Sequence, residues 1–361
     1  MSLIARLHAE IEAGGPMRLD RFMALALHDP EHGYYRTGTP LGAEGDFTTA
    51  PELSQLFGEM LGVALCARWL DDGRPDHVKL VELGPGRGLL MADLLRAVAA
   101  VDGALAAIDL HLIEASPALR AQTAERLQRP ITWHDSLDTV PRGRTYLIAN
   151  EYLDCLPVRQ FVRTADGWAE RCITRAGDGL AWTTCAADRS GLDLPDDAAE
   201  GAIHEVSPAR LDLVARLAGR IARDDGLAYI IDYGGTPAPV TGDTLQALQR
   251  HAPVDPLRAP GASDLTSHVD FAALRQVVIR QGAQAHGPLA QGPFLQALGI
   301  EARARVLYDR IDPLKRQDFR MALHRLIDRR HMGELFKVLA ISQPGTPPRP
   351  GFEPAPGGDQ A

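Results

Sequence analysis

From about residue 77 to 235, short apolar runs alternate with stretches whose apolar residues recur every three or four positions. His77–Leu83, Asp109–Ala115, Thr145–Glu151 and Gly226–Tyr233 read as strands, with ITWHDSL around Asp135 as a further segment. Between them, Leu90, Met91, Leu94, Leu95 and Val98 share one helical face, as do Leu211, Val214, Leu217 and Ile221. Ser116-Pro117 and Ser207-Pro208 each pair a side-chain cap with a proline at the first helical position, so a helix starts at each. Strands that are apolar throughout and separated by helices predict a parallel sheet covered on both faces.

The pattern changes after the third strand. Val158–Arg163, Trp168–Thr174 and Leu180–Thr184 are short β-like runs separated by Asp166-Gly167 and Gly177-Asp178-Gly179, which predicts an inserted antiparallel meander around 158–185. Phe336–Gln343 reads as a last strand after helical stretches over 302–330. From Pro344 on, the last 18 residues hold six prolines and four glycines, a composition that predicts a disordered tail. Residues 1–70 read as a helical N-terminal module. Leu3, Ile4, Leu7 and Ile11 mark one helix and Arg18–Leu27 a second, broken by Asp29-Pro30. Thr49 and Glu52 stand at capping-box spacing before a third. Residues 71–343 then form the sheet domain, with substrate-side segments around 240–335.

Composition narrows the function classes. The chain has 361 residues, 45% of them apolar and 24% charged, and a formal net charge of −9. That balance lacks the basic footprint of a nucleic-acid binder. The most apolar stretch, Met60–Ala67, is far short of the ~20 residues of a membrane span, so no stable membrane insertion is expected. Arg6, His8, Glu10 and Glu12 interrupt any signal-peptide core. Cys66, Cys155, Cys172 and Cys185 form no C-x-x-C pair, so reduced thiols and a cytoplasmic location are expected. The histidines show no H-E-x-x-H and no ligand spacing with cysteine, and no metal site is expected. His251 and His268 flank a Pro/Gly-rich loop.

The sharpest chemical signal is Val81-Glu82-Leu83-Gly84-Pro85-Gly86-Arg87-Gly88, placed between a strand and a helix. Glycines there allow a tight turn and close backbone approach to a ligand at a helix N-terminus. The spacing is G-x-G-x-G, with Leu89 where a dinucleotide fingerprint wants a small residue, and no Lys-Ser/Thr follows to make a P-loop. Glu82 is poorly placed beside a pyrophosphate but suits an ammonium or sulfonium cation. S-adenosylmethionine (SAM) carries both and has no phosphate. Glu114 ends the next strand, where a carboxylate accepts hydrogen bonds from ribose hydroxyls, and Asp135 lies where an adenine contact is expected. A nicotinamide cofactor is the rival reading.

A second cluster, Asn150-Glu151-Tyr152-Leu153-Asp154-Cys155-Leu156-Pro157, lies at the carboxyl end of its strand, where open α/β sheets bind ligands. One amide and two carboxylates there match a planar guanidinium. The opposing reading makes Asp154 a turn cap and Glu151 half of an ion pair.

The chain resembles the MidA-like SAM-dependent methyltransferases, whose mitochondrial members are respiratory complex I assembly factors. The resemblance runs from about Pro16 to Gln343. It is carried by GYYR at Gly33–Arg36, GDFTTAPELSQLFGE at Gly45–Glu59, VELGPGRG at Val81–Gly88, NEYLDCLPVRQF at Asn150–Phe161, IIDYG at Ile230–Gly234, DLTSHVDF at Asp264–Phe271 and MGELFKVL at Met332–Leu339. It implies an α/β class I methyltransferase fold, a seven-stranded sheet with the N-terminal module over the active site. It also implies methylation of protein arginine on a complex I subunit. Gly84, Gly86 and Glu114 would hold SAM, with Glu82, Pro85, Gly88 and Asp135 completing the cofactor site. Asn150, Glu151 and Asp154 would meet the acceptor, and Gly45, Asp46 and Phe47 would close the site, Asp46 among the catalytic groups. Ala50, Cys155 and Arg159 depart from the family's commoner serine, alanine and histidine. Two other functions remain: an assembly chaperone of low turnover, and a small-molecule methyltransferase.

Overall fold

The computed structural model describes residues 1–37, 49–190, 192, 194–235, 242–250, 252–346 and 349–352. The chain forms two compact units that do not follow sequence order. One comprises Met1–Phe47, Leu153–Leu213 and Gly235–Ala273; the other comprises Thr48–Tyr152, Val214–Gly234 and Leu274–Ala361.

In the first unit, α1 (Leu3–Gly14), α2 (Leu19–His28) and the short α3 (Tyr34–Thr37) lead the chain, with β1 (Met17–Arg18) between the first two. The predicted meander is present as β6 (Arg159–Thr164), β7 (Gly167–Ala176) and β8 (Gly179–Ala186), paired antiparallel in that order. β1 pairs with β7, and β9 (Ile203–Val206) pairs with the far edge of β6. β9 has no counterpart in the sequence reading, because four residues are too few to show an alternation. A small sheet of β11 (Gln246–Gln249), β12 (Ala252–Pro253) and β13 (Asp264–Thr266) follows, then β14 (Val269–Asp270). Leu7, Leu19, Phe22, Met23, Ile173 and Leu265 share this unit's core. The N-terminal helices were legible because their apolar spacing is what buries Leu3, Leu7 and Ile11.

The second unit holds α4 (Ala50–Leu53), α5 (Gln55–Asp71), β2 (Val78–Leu83), α6 (Leu89–Val98), β3 (Ile108–Ile113), α7 (Pro117–Leu127), β4 (Thr132–His134) and β5 (Thr145–Asn150). After α8 (Pro208–Asp224) come β10 (Gly226–Gly235), α9 (Phe271–Arg280), β15 (Gln284–Ala290), α10 (Gln291–Ala297), α11 (Ile300–Tyr308), α12 (Arg316–Ile327), α13 (Met332–Leu335) and β16 (Phe336–Ser342). The sheet runs in the order β15-β16-β10-β5-β2-β3-β4. β4, β3, β2, β5 and β10 are parallel, while β16 is antiparallel to both β10 and β15. This is the class I methyltransferase sheet that the resemblance implies. β5 and most of β10 are buried because helices cover both faces, which is why both read as unbroken apolar runs.

Of the tail expected to be disordered, residues 344–346 and 349–352 are described and run against that reading, while 347–348 and 353–361 lie outside the described residues. Phe352 packs on the core of this unit, stacked with Tyr229 and tilted against Phe294, and the Tyr229 hydroxyl donates to the Pro350 carbonyl at 3.0 Å. One aromatic among prolines and glycines anchors a segment whose average composition holds no core. Between β3 and β4, two buried imidazoles meet: His111 Nδ1 lies 2.9 Å from His134 Nε2. The outer nitrogens reach Asp109 Oδ2 and Thr139 Oγ1, each at 2.9 Å, and the Thr139 hydroxyl donates to the Ser136 carbonyl at 2.9 Å.

Candidate functional site

The ends of three adjacent strands, β3, β2 and β5, bring most of the sequence-selected residues together in the second unit. The chain leaves β2 through Gly84, Gly86 and Gly88, all at positive φ (64°, 55° and 73°). A side chain on Gly84 would press on the Tyr152 ring and one on Gly88 on Thr123, with nearest atoms at 2.8 Å in both cases, so these positions accept only glycine. The Gly84 amide donates to Ile113 O at 2.9 Å, and the Thr123 hydroxyl on α7 donates to Gly86 O at 2.9 Å. Pro85 O accepts the Gly88 amide at 2.8 Å, which closes the turn into α6. The result is a fixed loop at a helix N-terminus.

Three polar side chains surround it. Glu82 is buried in β2, and its Oε2 has no hydrogen-bond partner among the described residues. Burial, reinforced by the neighbouring Glu114 carboxylate, pushes Glu82 up to about 8. Glu114, just past β3, is raised by burial even though the amides of Ser116, Ala115 and Gly86 pull it back. Its Oε1 accepts from the Ser116 amide at 2.8 Å. Asn150 ends β5. Its Nδ2 donates to Glu151 Oε1 at 3.1 Å, and its Oδ1 is buried without a partner among the described residues. Two adjacent strands therefore end in oxygens that need a donor, and one of these belongs to a carboxyl group that burial holds neutral. A cationic ligand group is what such a pair accepts.

Glu151 has a structural duty as well. It sits at φ 50°, a left-handed conformation that few non-glycine residues adopt. Its Oε1 accepts the Ala50 amide at 3.3 Å, at the N-terminus of α4. This corrects the capping box: Thr49 makes no side-chain cap bond, and Glu52 instead pairs with Arg87 at 2.6 Å. Charged partners outcompete the local cap. Asp135 lies beyond β4 with its carboxylate almost fully open and paired with Arg120 at 2.6 Å. Arg120 also donates to Glu114 O at 2.6 Å and His134 O at 3.1 Å, tying the ends of β3 and β4 together.

Asp154 belongs to the first unit, where it is buried. Its segment is held by Arg210, a residue that the sequence reading passed over. The Arg210 guanidinium donates to the carbonyls of Leu153 (2.6 Å), Asp154 (2.8 Å), Ser267 (3.2 Å) and His268 (2.6 Å) and to the Ser267 hydroxyl (2.7 Å). The signal was present: Arg210 occupies the same helical stripe as Val214, Leu217 and Ile221, an arginine on a buried face. Nearby, the Tyr35 hydroxyl donates to Asp264 Oδ1 at 2.8 Å. Burial and the acidic neighbours Asp264, Cys155 and Asp154 push this phenol well up. Tyr35 of GYYR, Asp154 and Cys155 of NEYLDCLP and Asp264 of DLTSHVDF thus meet within the first unit. Arg159 lies elsewhere in the unit, in a buried bidentate pair with Glu170 at 2.8 and 2.7 Å. Gly45, Asp46, Phe47 and His251 lie outside the described residues. His268 is held down by burial.

Comparison with known proteins agrees with this geometry. The family described as "Putative S-adenosyl-L-methionine-dependent methyltransferase" matches residues 60–289. The protein arginine methyltransferase NDUFAF7, mitochondrial, of Danio rerio is 35% identical over 379 residues, covering 94% of this chain and 86% of the relative. The Homo sapiens protein of that name is 33% identical over 372 residues, covering 94% and 83%. The crystal structure of a COG1565 superfamily member from Burkholderia thailandensis bound to S-adenosyl-homocysteine superposes with a TM-score of 0.82 at 32% identity, covering 98% of this chain and 93% of that one. With the strand order, the glycine loop and these likenesses in agreement, the chain belongs to the MidA-like family of SAM-dependent methyltransferases.

Proposed function

We propose that this methyltransferase acts on arginine side chains of a protein, and that the acceptor is a subunit of respiratory complex I. The observation that carries the reading is the carboxyl end of β5, where Asn150 and Glu151 stand beside the glycine loop and Asp154 follows three residues along the chain. Supporting it are the names of the relatives for arginine, and the family resemblance for the complex I subunit. The four free thiols suit a reducing compartment, and we place the reaction in the cytoplasm.

In this reading the cofactor is held by the loop Gly84-Pro85-Gly86 with Gly88, its ammonium group by Glu82, and its ribose hydroxyls by Glu114. Asp135, open and anchored by Arg120, is assigned to the adenine side. When bound, SAM supplies an electrophilic methyl group on sulfur. Asn150 and Glu151 are assigned to the acceptor guanidinium, whose planar fork matches carboxylates bidentately, and catalytic roles are assigned to Asp154 and Asp46 as well. These carboxylates would take the proton that leaves the guanidinium on methylation and pass it to water.

Incubating the chain with methyl-labelled SAM and the acceptor subunit, followed by acid hydrolysis, tests the proposal. Label in methylarginine is expected. Label only in small molecules favours the small-molecule reading, and tight S-adenosylhomocysteine binding without turnover favours the chaperone. Glu114→Ala is expected to weaken S-adenosylhomocysteine binding by about 1–3 kcal/mol in calorimetry, the cost of stranding hydrogen-bonding groups. Asp154→Asn is expected to leave that affinity unchanged and to lower kcat by about 100-fold or more. Full turnover in this variant returns Asp154 to a structural role.

A further inference from the structure

We propose that His324, Asp328 and His331 form a binding site for a divalent transition cation of the zinc type, separate from the residues assigned to methyl transfer. One ligand atom from each residue lies within 4.8 Å of the other two. His324 Nε2 is already 3.1 Å from Asp328 Oδ2, and the His324 and His331 rings meet edge to face with centroids 5.4 Å apart. Ligands about 2.0–2.1 Å from a tetrahedral zinc ion lie somewhat over 3 Å apart, so closing the set takes small movements of the two exposed histidines toward the half-buried Asp328. Two imidazole nitrogens with one carboxylate oxygen favour zinc, nickel or copper over magnesium or calcium, which take all-oxygen sets.

The backbone explains why three residues spaced H-x3-D-x2-H converge, a spacing unlike H-E-x-x-H, although the sequence predicts no metal site. His324 is in the last turn of α12, and Asp328 is its C-cap, one turn further on the same face. The Asp328 carbonyl accepts the amides of His331 (3.0 Å) and Gly333 (3.2 Å), which folds the chain back on the helix end. Gly333 packs so closely there that a Cβ would fall 2.2 Å from the Ile327 carbonyl oxygen. The turn is therefore fixed, and it returns His331 to the side of His324. Asp328 Oδ1 takes the Arg330 amide at 2.8 Å, while Oδ2 faces His324. The Arg330 guanidinium leans on the same carboxylate, with Nε 3.2 Å from Oδ1 and Nη2 3.4 Å from Oδ2. It competes with a cation for that group. Three protein ligands leave a fourth position for water, and the site staples the end of α12 to the turn before α13.

Titration of the tag-free full chain with zinc by calorimetry, and with cobalt by visible absorption, tests this. One equivalent is expected to bind, with the d–d bands of a tetrahedral cobalt site. His324→Ala and His331→Ala are each expected to weaken binding about tenfold or more. Arg330→Ala is expected to tighten it, because a competing cation is removed. No stoichiometric binding by the wild-type chain overturns the site. So does binding that survives both histidine substitutions, or weaker binding in Arg330→Ala. The three substituted side chains are exposed, and unfolding measured in a chelator verifies that the variants retain the wild-type fold.

Discussion

Replacing Arg210 by alanine is expected to lower stability by about 3–5 kcal/mol, the range for breaking a buried polar network. Four carbonyls and a hydroxyl on two separate segments lose the guanidinium at once, which leaves the Leu156 amide on the Leu153 carbonyl and the Ser267 amide on the Asp154 carbonyl, each at 3.0 Å. Arg210→Lys is expected to recover only a minor part. A single ammonium group cannot replace a planar fork with donors spread over three nitrogens. The urea midpoint, followed by circular dichroism, measures this. Turnover is expected to fall further than the unfolded fraction explains, because the carbonyls of Leu153 and Asp154 are what Arg210 holds. S-Adenosylhomocysteine affinity, which the proposed function assigns to residues of the other unit, is expected to survive. An Arg210→Ala protein as stable and active as wild type would show that its network is dispensable.

The second large effect is the pH dependence of Glu82. Its folded-state value of about 8 lies above the ordinary carboxylate value of 4.5, so the ligand-free fold binds a proton that the unfolded chain releases. Stability is therefore full below pH ~4.5 and is lost as the pH climbs toward 8, by an amount on the order of 5 kcal/mol. Glu82→Gln is expected to abolish that slope and to raise ligand-free stability at pH 7. Ligand binding carries the opposite sign. In the proposed binding mode an ammonium group docks on Glu82 and favours the carboxylate, so S-adenosylhomocysteine binding at pH 7 is expected to release close to one proton. Its affinity rises with pH until about 8 and then levels. The Gln variant binds more weakly, by about 1.5–3 kcal/mol, and without the proton. Calorimetry in two buffers of different ionisation enthalpy reads the proton directly. Equal apparent enthalpies for wild type in the two buffers would remove the cation from this carboxyl.

Much of the second unit was legible because its chemistry sits where strands end. β2, β5 and β10 are buried on both faces and so read as apolar runs, and their neighbours Glu82, Gly84–Gly88, Glu114 and Asn150 are found by counting from those runs. β15 was not legible, since Gln284–Ala290 carries a histidine, a glycine and a proline in seven residues and follows no period. Arg210 escaped for a different reason. Its partners lie more than fifty residues away on both sides, and no local pattern encodes a donor fork that only tertiary structure aligns. Thr49 failed as a side-chain cap because the Glu52 amide goes to the Thr49 carbonyl at 3.0 Å, and Glu52 left the box for Arg87. Local rules were right where local partners had no rival.

The line of contacts from Asp109 through His111 and His134 to Thr139 has an arithmetic of its own. Three gaps must each hold a hydrogen, and with the Thr139 hydroxyl committed to Ser136 all three must come from ring nitrogens. Two neutral imidazoles carry only two. With both rings neutral, Thr139 must turn its hydroxyl away from Ser136 and donate to His134 instead. Burial first, then His111, Arg220 and Arg120, depress His134 against the pull of Asp135, and so favour that arrangement. A third proton reverses the choice. The charge on a pair of rings inside the sheet is thus written in the direction of one hydroxyl at its edge, and a short turn from Ser136 to Thr139 gains or loses a tether each time a single proton comes or goes.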